Sequence, residues 1–208
     1  MENKKKIVVL LIFVLSFSLI ASPITFYGGK TSVSLEDGNR TVTLTDGAGV
    51  SSESIDLSSE RIFIYGEDYR YVRCTGNVSV TDNEREIFLR GSNVFYDRIE
   101  KLLLSDGWVE LEDRKNNATI SGARIEYNES TSEITIQMRA TISQDTDKGL
   151  LKCSADIITY NADDQTLKLS GQASVTWGDD SYKASVISVN IETEEIELSG
   201  SISGEING

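Results

Sequence analysis

The chain repeats one phrase of alternating apolar and polar residues every 29 to 33 residues, and this repeat limits the folds that it can adopt. Each copy contains an alternating run, a short polar turn and a second alternating run. A period of two is typical of half-buried β-strands rather than amphipathic helices. The copies are anchored at Tyr65, Tyr96, Tyr127, Tyr160 and Val189. The sequence therefore predicts an all-β array of strand–turn–strand units, each about 31 residues long.

A glycine stands in the middle of the second run in four of these copies, eleven residues after the anchor. Glycine inside a strand weakens pairing and usually marks a bulge or a bend. These glycines are Gly76, Gly107, Gly171 and Gly200, and Met138 takes the same place in the remaining copy. We therefore expect every layer to bend there, giving two facing sheets around an apolar interior that is open at both ends. A more degenerate copy is expected to start the array near Leu35.

The alternation also assigns one set of side chains to the interior. Apolar residues recur seven and nine positions after the anchor, and the same face continues beyond the glycine. In a narrow sandwich these side chains would form a core, whereas in an open array they would line a groove, and the pattern leaves both possibilities open. The set comprises Val78, Val80, Val109, Leu111, Ile134, Ile136, Ile142, Leu167, Leu169, Val175, Ile196 and Leu198.

The four tyrosine anchors fall in one column of the predicted stack. We expect them to form an aromatic ladder, in which each cross-strand pair contributes about 0.2–1 kcal/mol. The alternative is that their rings face lipid while their hydroxyls lie at a wet rim. This column consists of Tyr65, Tyr96, Tyr127 and Tyr160.

The composition argues against catalysis and nucleic-acid binding. The chain has 33 acidic residues, 20 basic residues and no histidine, so it lacks the commonest general base and transition-metal ligand. An acidic chain without a basic patch repels nucleic acid. We expect no catalytic residue, cofactor or metal. Carboxylate pairs that could bind calcium are interpreted as solvated turn residues: Glu112, Asp113, Asp145, Asp147, Asp163, Asp164, Asp179 and Asp180.

The N-terminus combines three lysines with an apolar run at residues 7–20. This arrangement predicts a secretory signal peptide at residues 1–22, followed by a body at residues 23–208. An uncleaved anchor is the alternative, although the run is shorter than the roughly 20 residues that a spanning helix needs. Under either interpretation the body lies beyond a membrane.

The two cysteines are expected to remain reduced, although an even number in an oxidising compartment normally suggests a disulfide. The repeat places Cys74 and Cys153 at inward positions of units more than two periods apart. Strands about 4.8 Å apart would then hold the two Cα atoms beyond about 7 Å, which is too far for a disulfide.

One phrase in the sequence resembles the repeated phrase of the LptA/OstA-like family. It reads A-x-x-I-x-Y-N followed by L-x-L-x-G-x-x-x-V, and the runs GARIEYNESTSEITI and NIETEEIELSG strengthen the resemblance, which covers residues 30–208. The phrase is formed by Ala155, Ile158, Tyr160, Asn161, Leu167, Leu169, Gly171 and Val175. The resemblance implies an open, twisted β-jellyroll in the periplasm of Gram-negative-type bacteria.

The resemblance also implies a non-enzymatic carrier that moves lipopolysaccharide, or a related lipid A-like glycolipid, from the inner to the outer membrane. The inward residues would then line the acyl-chain groove. The partners would be the inner- and outer-membrane transport components and further copies of the chain, stacked head to tail through unpaired edge strands. Two alternatives remain: a membrane-anchored component of the same bridge, or a structural β-array that carries no lipid.

Overall fold

The computed structural model describes residues 23–36, 40–52 and 54–207, and these residues form an all-β structure. The expected signal peptide at residues 1–22 lies outside the described residues. The strands are β1 (Ile24–Tyr27), β2 (Lys30–Ser34), β3 (Thr41–Ser52), β4 (Ile55–Tyr65), β5 (Tyr71–Asp82), β6 (Ile87–Asp97), β7 (Leu102–Asp113), β8 (Ala118–Asn128), β9 (Glu133–Thr146), β10 (Gly149–Asn161), β11 (Thr166–Trp177), β12 (Asp180–Asn190), β13 (Glu195–Ser199) and β14 (Ser203–Glu205). A three-residue 3-10 helix, Glu67–Tyr69, connects β4 to β5.

These strands form one 14-stranded antiparallel sheet in which each long strand pairs with its neighbours in sequence. At one end, β1 and β2 both pair with β3, and at the other end β13 and β14 both pair with β12. The predicted all-β array is confirmed. The degenerate copy expected near Leu35 is present, because β2 and β3 pair on either side of that residue, with Val33 opposite Val42. One further strand, β1, precedes this copy and starts at Ile24.

A row of β-bulges crosses the sheet and folds it in two. The register of β11 against β12 shifts between Ser170 and Ala173, and the other long strands shift at the equivalent place. On β12 the buried side chains are Ala184 and then Ile187, so one extra residue interrupts the alternation. Because an extra residue reverses the face of all the side chains that follow, the strand turns a corner and keeps its apolar face inside.

The predicted bend at the recurring glycines is confirmed by their backbone angles. Gly76, Gly107, Gly171 and Gly200 all have positive φ, and Met138 with its neighbour Arg139 adopts φ of 60° without a glycine. The two facing sheets of the prediction are therefore the two halves of one sheet. We call the half that carries Tyr96, Tyr127, Tyr160 and Val189 the tyrosine half-sheet, and the other half the opposite half-sheet.

Side chains from the inner faces of both half-sheets pack into one hydrophobic cluster. Cys74 lies in the tyrosine half-sheet and Cys153 in the opposite half-sheet. Both are free and buried, as the repeat predicted. They contribute to the core as small apolar side chains.

Tyr65 does not join the tyrosine column, which corrects the sequence prediction. The turn at residues 66–70 is one residue longer than the turns that follow Tyr96, Tyr127 and Tyr160. Ile64 therefore occupies the inward position opposite Val72. Tyr65 faces outward, where its ring centroid lies 4.9 Å from that of Phe63 and 5.4 Å from that of Tyr71.

Replacing Gly171 by alanine is expected to lower the free energy of unfolding by about 1–3 kcal/mol, because its φ of +77° strains any residue with a Cβ. The new Cβ would also press against the Asp156 side chain. Gly47 is the matched control, since it has a φ of +78° but nothing within 4 Å of an added Cβ. Urea unfolding should show a smaller loss for Gly47→Ala than for Gly171→Ala. Wild-type stability in Gly171→Ala would contradict this account of the bend.

Candidate functional site

The predicted inward residues line one apolar interior between the half-sheets. The tyrosine half-sheet contributes Ile134, Ile136, Leu167, Leu169, Ile196 and Leu198, and the opposite half-sheet contributes Val78, Val80, Val109, Leu111, Ile142 and Val175. Ile196 and Leu198, near the C-terminal end, are half-buried, and the other residues of the set are at most 3% exposed. The interior is therefore a packed core along most of its length.

Two rows of turns meet along the side of the molecule that lies away from the bulges. The first row ends the tyrosine half-sheet, and the second row ends the opposite half-sheet. Backbone hydrogen bonds stack each row, such as Glu129 N to Lys101 O at 3.0 Å in the first row and Arg114 N to Glu86 O at 3.1 Å in the second. We call the boundary between the rows the seam: it joins residues 66–70, 98–101, 129–132, 162–165 and 191–194 to Ser54 and residues 83–86, 114–117, 147–148 and 178–179.

Polar side chains join the two rows across the seam. No β-ladder joins the rows in the described part of the chain, so each connection is made by single side chains. The cross-seam hydrogen bonds include those from Tyr127 Oη to Asp82 Oδ2 (2.7 Å), Tyr160 Oη to Asp113 Oδ2 (3.0 Å), Arg85 Nε to Ser132 Oγ (3.0 Å), Asn116 Nδ2 to Ala162 O (3.0 Å), Gln144 Nε2 to Gln165 Oε1 (2.7 Å) and Arg98 Nε to Ser52 Oγ (3.2 Å).

The two tyrosine–aspartate pairs are the most deeply buried of these connections. Asp82 and Asp113 are each 1% exposed, and Tyr127 and Tyr160 are buried beside them. Burial raises the pKa of Tyr127, and the hydrogen bond to Asp82 raises it further. Burial and the charge of Asp113 likewise raise the pKa of Tyr160. Both hydroxyls therefore stay protonated and donate to the carboxylates.

A further carboxylate, Glu129, lies buried at the seam with one oxygen unsatisfied. Its Oε1 has no hydrogen-bond partner among the described residues, while Oε2 lies 3.5 Å from Ser54 Oγ. Burial raises the pKa of Glu129, and the negative charge of Asp82 raises it further, although a hydrogen bond with Tyr96 opposes the shift. The closed seam therefore holds a carboxylate that water would stabilise.

The apolar interior reaches solvent at both ends of the stack. Phe26 pairs with buried Val50 and Val33 with buried Val42, so they share the inner face, yet they are 43% and 49% exposed. The C-terminal layer exposes Ile202 and Ile206. In the described ranges, β1 and β2 pair only with β3, and β13 and β14 pair only with β12.

The acidic pairs lie at strand ends and turns, but Asp113 is not the solvated residue that the sequence predicted. It is buried because it receives Tyr160 and Asn116 from inside the seam. Asp145, Asp147 and Asp163 are exposed. Among the residues that the structure covers, no three His, Cys, Asp or Glu side chains form a group that could hold a metal ion. No helix in this part of the chain is long and apolar enough to cross a membrane.

The seam residues are the part of the site that the sequence interpretation missed. The alternation that places Val78 and Val80 inside also places Asp82 inside, and the same holds for Asp113 after Val109 and Leu111. A polar residue at an inward position facing a tyrosine column is a signal that could have identified the pairs. The hydroxyls of Tyr127 and Tyr160 end at the seam but are buried there, so they do not form the wet rim of the alternative interpretation.

Comparison with known proteins agrees with this architecture. The crystal structure of LptH from Pseudomonas aeruginosa, described as the LptA homologous periplasmic component of the conserved lipopolysaccharide transport device, is similar in fold, with a TM-score of 0.54. The likeness covers 62% of this chain and 99% of that chain at 15% sequence identity, and it shows the shared fold alone. No curated protein sequence matches the chain significantly.

A match to a protein family covers the central part of the repeat array. Residues 67–195 match the family described as LptA/(LptD N-terminal domain) LPS transport protein. This range runs from the 3-10 helix to the start of β13 and includes most of the seam. Since the match spans more than half of the sequence, the chain belongs to the LptA/(LptD N-terminal domain) LPS transport protein family.

Proposed function

We propose that this protein is a non-enzymatic carrier that shields the acyl chains of lipopolysaccharide, or of a related glycolipid, between the inner and outer membranes. The observation that supports the proposal most strongly is the interior itself. Inward aliphatic residues continue from layer to layer, from Val42 of β3 to Leu198 of β13, and reach solvent at both ends. Family membership supports the identity of the cargo.

The physical basis of such a carrier is the cost of exposing acyl chains to water. Each CH₂ group kept from water is worth about 0.8 kcal/mol, so a lipid with several acyl chains cannot cross an aqueous space unshielded. Successive layers of this interior present similar aliphatic side chains, so an acyl chain meets similar surroundings in each layer. The protein lowers the barrier, and the direction of movement comes from the membrane components at either end.

The proposed location is the periplasm, with residues 1–22 acting as the export signal. Removing them leaves 17 basic and 32 acidic residues and a net charge of −15. This charge keeps a strand-rich protein soluble. A retained N-terminal segment would instead make the protein an anchored component of the same bridge, and N-terminal sequencing of the mature protein distinguishes the two.

The cargo proposal predicts which face of a strand touches lipid. On β6, Tyr96 points into the interior between the half-sheets. Its neighbour Phe95 faces outward and packs on Tyr71, with ring centroids 5.6 Å apart. A photo-reactive p-benzoylphenylalanine at position 96 should cross-link to lipid A, and the same residue at position 95 should not. Gel mobility and mass spectrometry of the irradiated protein detect the adduct. Cross-linking from neither position would favour a structural β-array without lipid.

Head-to-tail stacking is proposed because each end exposes apolar side chains beside strand edges that no described strand covers. Val33→Lys should block the N-terminal end, and Ile202→Lys should block the C-terminal end. Light scattering should show oligomers that grow with concentration for the wild-type protein, and monomers for each variant alone. A mixture of the two variants should form heterodimers only, because one free end of each kind remains. A wild-type protein that stays monomeric at high concentration would contradict stacking.

A further inference from the structure

Acyl chains cannot enter this interior without separating side chains that now fill it. Ile134, Ile136 and Leu169 have no exposed surface, and a core packed at protein density has no room for an additional hydrocarbon chain. The two ends already expose apolar side chains, but an acyl chain that starts at an end still meets packed layers, so entry requires the half-sheets to separate along part of the boundary. The boundary consists of the two ends, the row of bulges and the seam.

Of these parts, the seam is the one that can separate without breaking the sheet. At the row of bulges the backbone of every long strand continues from one half-sheet into the other. Within each half-sheet, backbone hydrogen bonds join neighbouring strands, as in the pairing of β9 with β10 from Gly149–Thr146 to Asn161–Glu133. Only side-chain hydrogen bonds cross the seam in the described part of the chain. Opening it leaves each half-sheet intact.

We propose that lipid enters and leaves this protein sideways through the seam, and that the tyrosine–aspartate pairs Tyr127–Asp82 and Tyr160–Asp113 are the clasp that holds the seam shut. The proposal rests on the function proposed above. It adds a route for the cargo and names the side chains that control the route.

The two pairs share a geometry that suits repeated opening. Asp82 Oδ1 accepts hydrogen bonds from the backbone N–H groups of Glu84 and Arg85, both at 3.0 Å, while Oδ2 receives Tyr127. Asp113 holds its own turn in the same way, through Asn116. Each aspartate therefore keeps its hydrogen bonds to its own turn when the bond from the tyrosine breaks. The separated hydroxyl and carboxylate both gain water, which offsets the hydrogen bond that is lost.

The closed seam also contains buried polar atoms that opening would satisfy. Glu129 Oε1 and Gln144 Oε1 have no hydrogen-bond partner in the part of the chain that the structure describes. A buried, unsatisfied oxygen favours any state that brings water to it. The seam is therefore held by a few hydrogen bonds, and it is weakened at Glu129 Oε1 and Gln144 Oε1.

The native cysteines report opening without any lipid. Cys74 and Cys153 lie inside, and burial raises the pKa of each thiol to about 12, so N-ethylmaleimide should modify them slowly in the folded protein. The double variant Tyr127→Phe/Tyr160→Phe keeps both rings but removes the clasp. Because it removes two hydrogen bonds, it should accelerate thiol modification at least about tenfold, the factor expected from losing one hydrogen bond to a charged group.

Two matched controls separate opening of the seam from general destabilisation. Tyr65→Phe removes a tyrosine hydroxyl from the outer face and should leave the thiol rate unchanged. Gly171→Ala weakens the fold at the bulges, on the side of the molecule opposite the seam. It should raise the rate of thiol modification only by the amount that its lower free energy of unfolding explains. The proposal would be overturned if the thiols of the double tyrosine variant reacted no faster than its measured loss of global stability explains.

A covalent lock tests whether lipid uses the same route. In a background with Cys74→Ala and Cys153→Ala, the pair Lys115→Cys/Asp163→Cys flanks the hydrogen bond between Asn116 and Ala162, so a short bis-maleimide joins the rows across the seam. The control pair Ser130→Cys/Asp163→Cys lies within the first row and shares one of the cysteines. Fluorescent lipid A should load the control and the unlinked protein, and should load the locked protein at least about tenfold more slowly.

Lipid A uptake by the locked protein at the unlinked rate would overturn the seam as the route and favour entry through the ends. Absence of uptake by the unlinked wild-type protein would count against the proposed cargo instead. The clasp would still be decided in that case, because the thiol assay needs no lipid: a raised rate in the tyrosine variant supports it, and an unchanged rate rejects it.

Discussion

The β-bulges across the middle of the long strands decide what kind of structure this sheet forms. A continuous antiparallel sheet of 14 strands would otherwise leave one apolar face in water. At the bulges the chain adopts left-handed backbone angles, at Gly171 and Gln172 for example, and the facing strand gains one residue that reverses its alternation. Strained residues cost about 1 kcal/mol or more each, and burial of the aliphatic side chains of both half-sheets offsets this cost.

Folding the sheet in this way encloses an apolar interior whose boundaries are held by different kinds of interaction. Covalent strands close it at the bulges, edge strands border it at the ends, and polar side chains close it at the seam. The seam is held by single side-chain contacts such as Tyr127 to Asp82, and among the described residues its buried Glu129 has an oxygen without a hydrogen-bond partner. The carrier that we propose needs an interior that excludes water and still admits a lipid, and a boundary made of covalent strands on one side and side-chain contacts on the other would meet both requirements.

The sequence predicted the repeated layers and the inward columns because strand alternation has a local physical cause. It predicted the bends because glycine at a fixed position reports backbone geometry, even though Met138 shows that the bend does not require it. It failed at Tyr65, where a longer turn shifts the frame by one residue. It missed the seam because partners such as Tyr127 and Asp82 are 45 residues apart, and alternation gives the face of a side chain but not its partner across the interior.

The function proposed for this protein requires its interior to hold the acyl chains of a glycolipid. Native mass spectrometry of the mature protein, purified without detergent from the envelope of its own cells, can detect such a lipid. We expect a bound species whose mass, after release, matches a phosphate-bearing glycolipid with several acyl chains. Protein that is consistently free of lipid, or that carries only a random sample of membrane phospholipids, would contradict the proposed function.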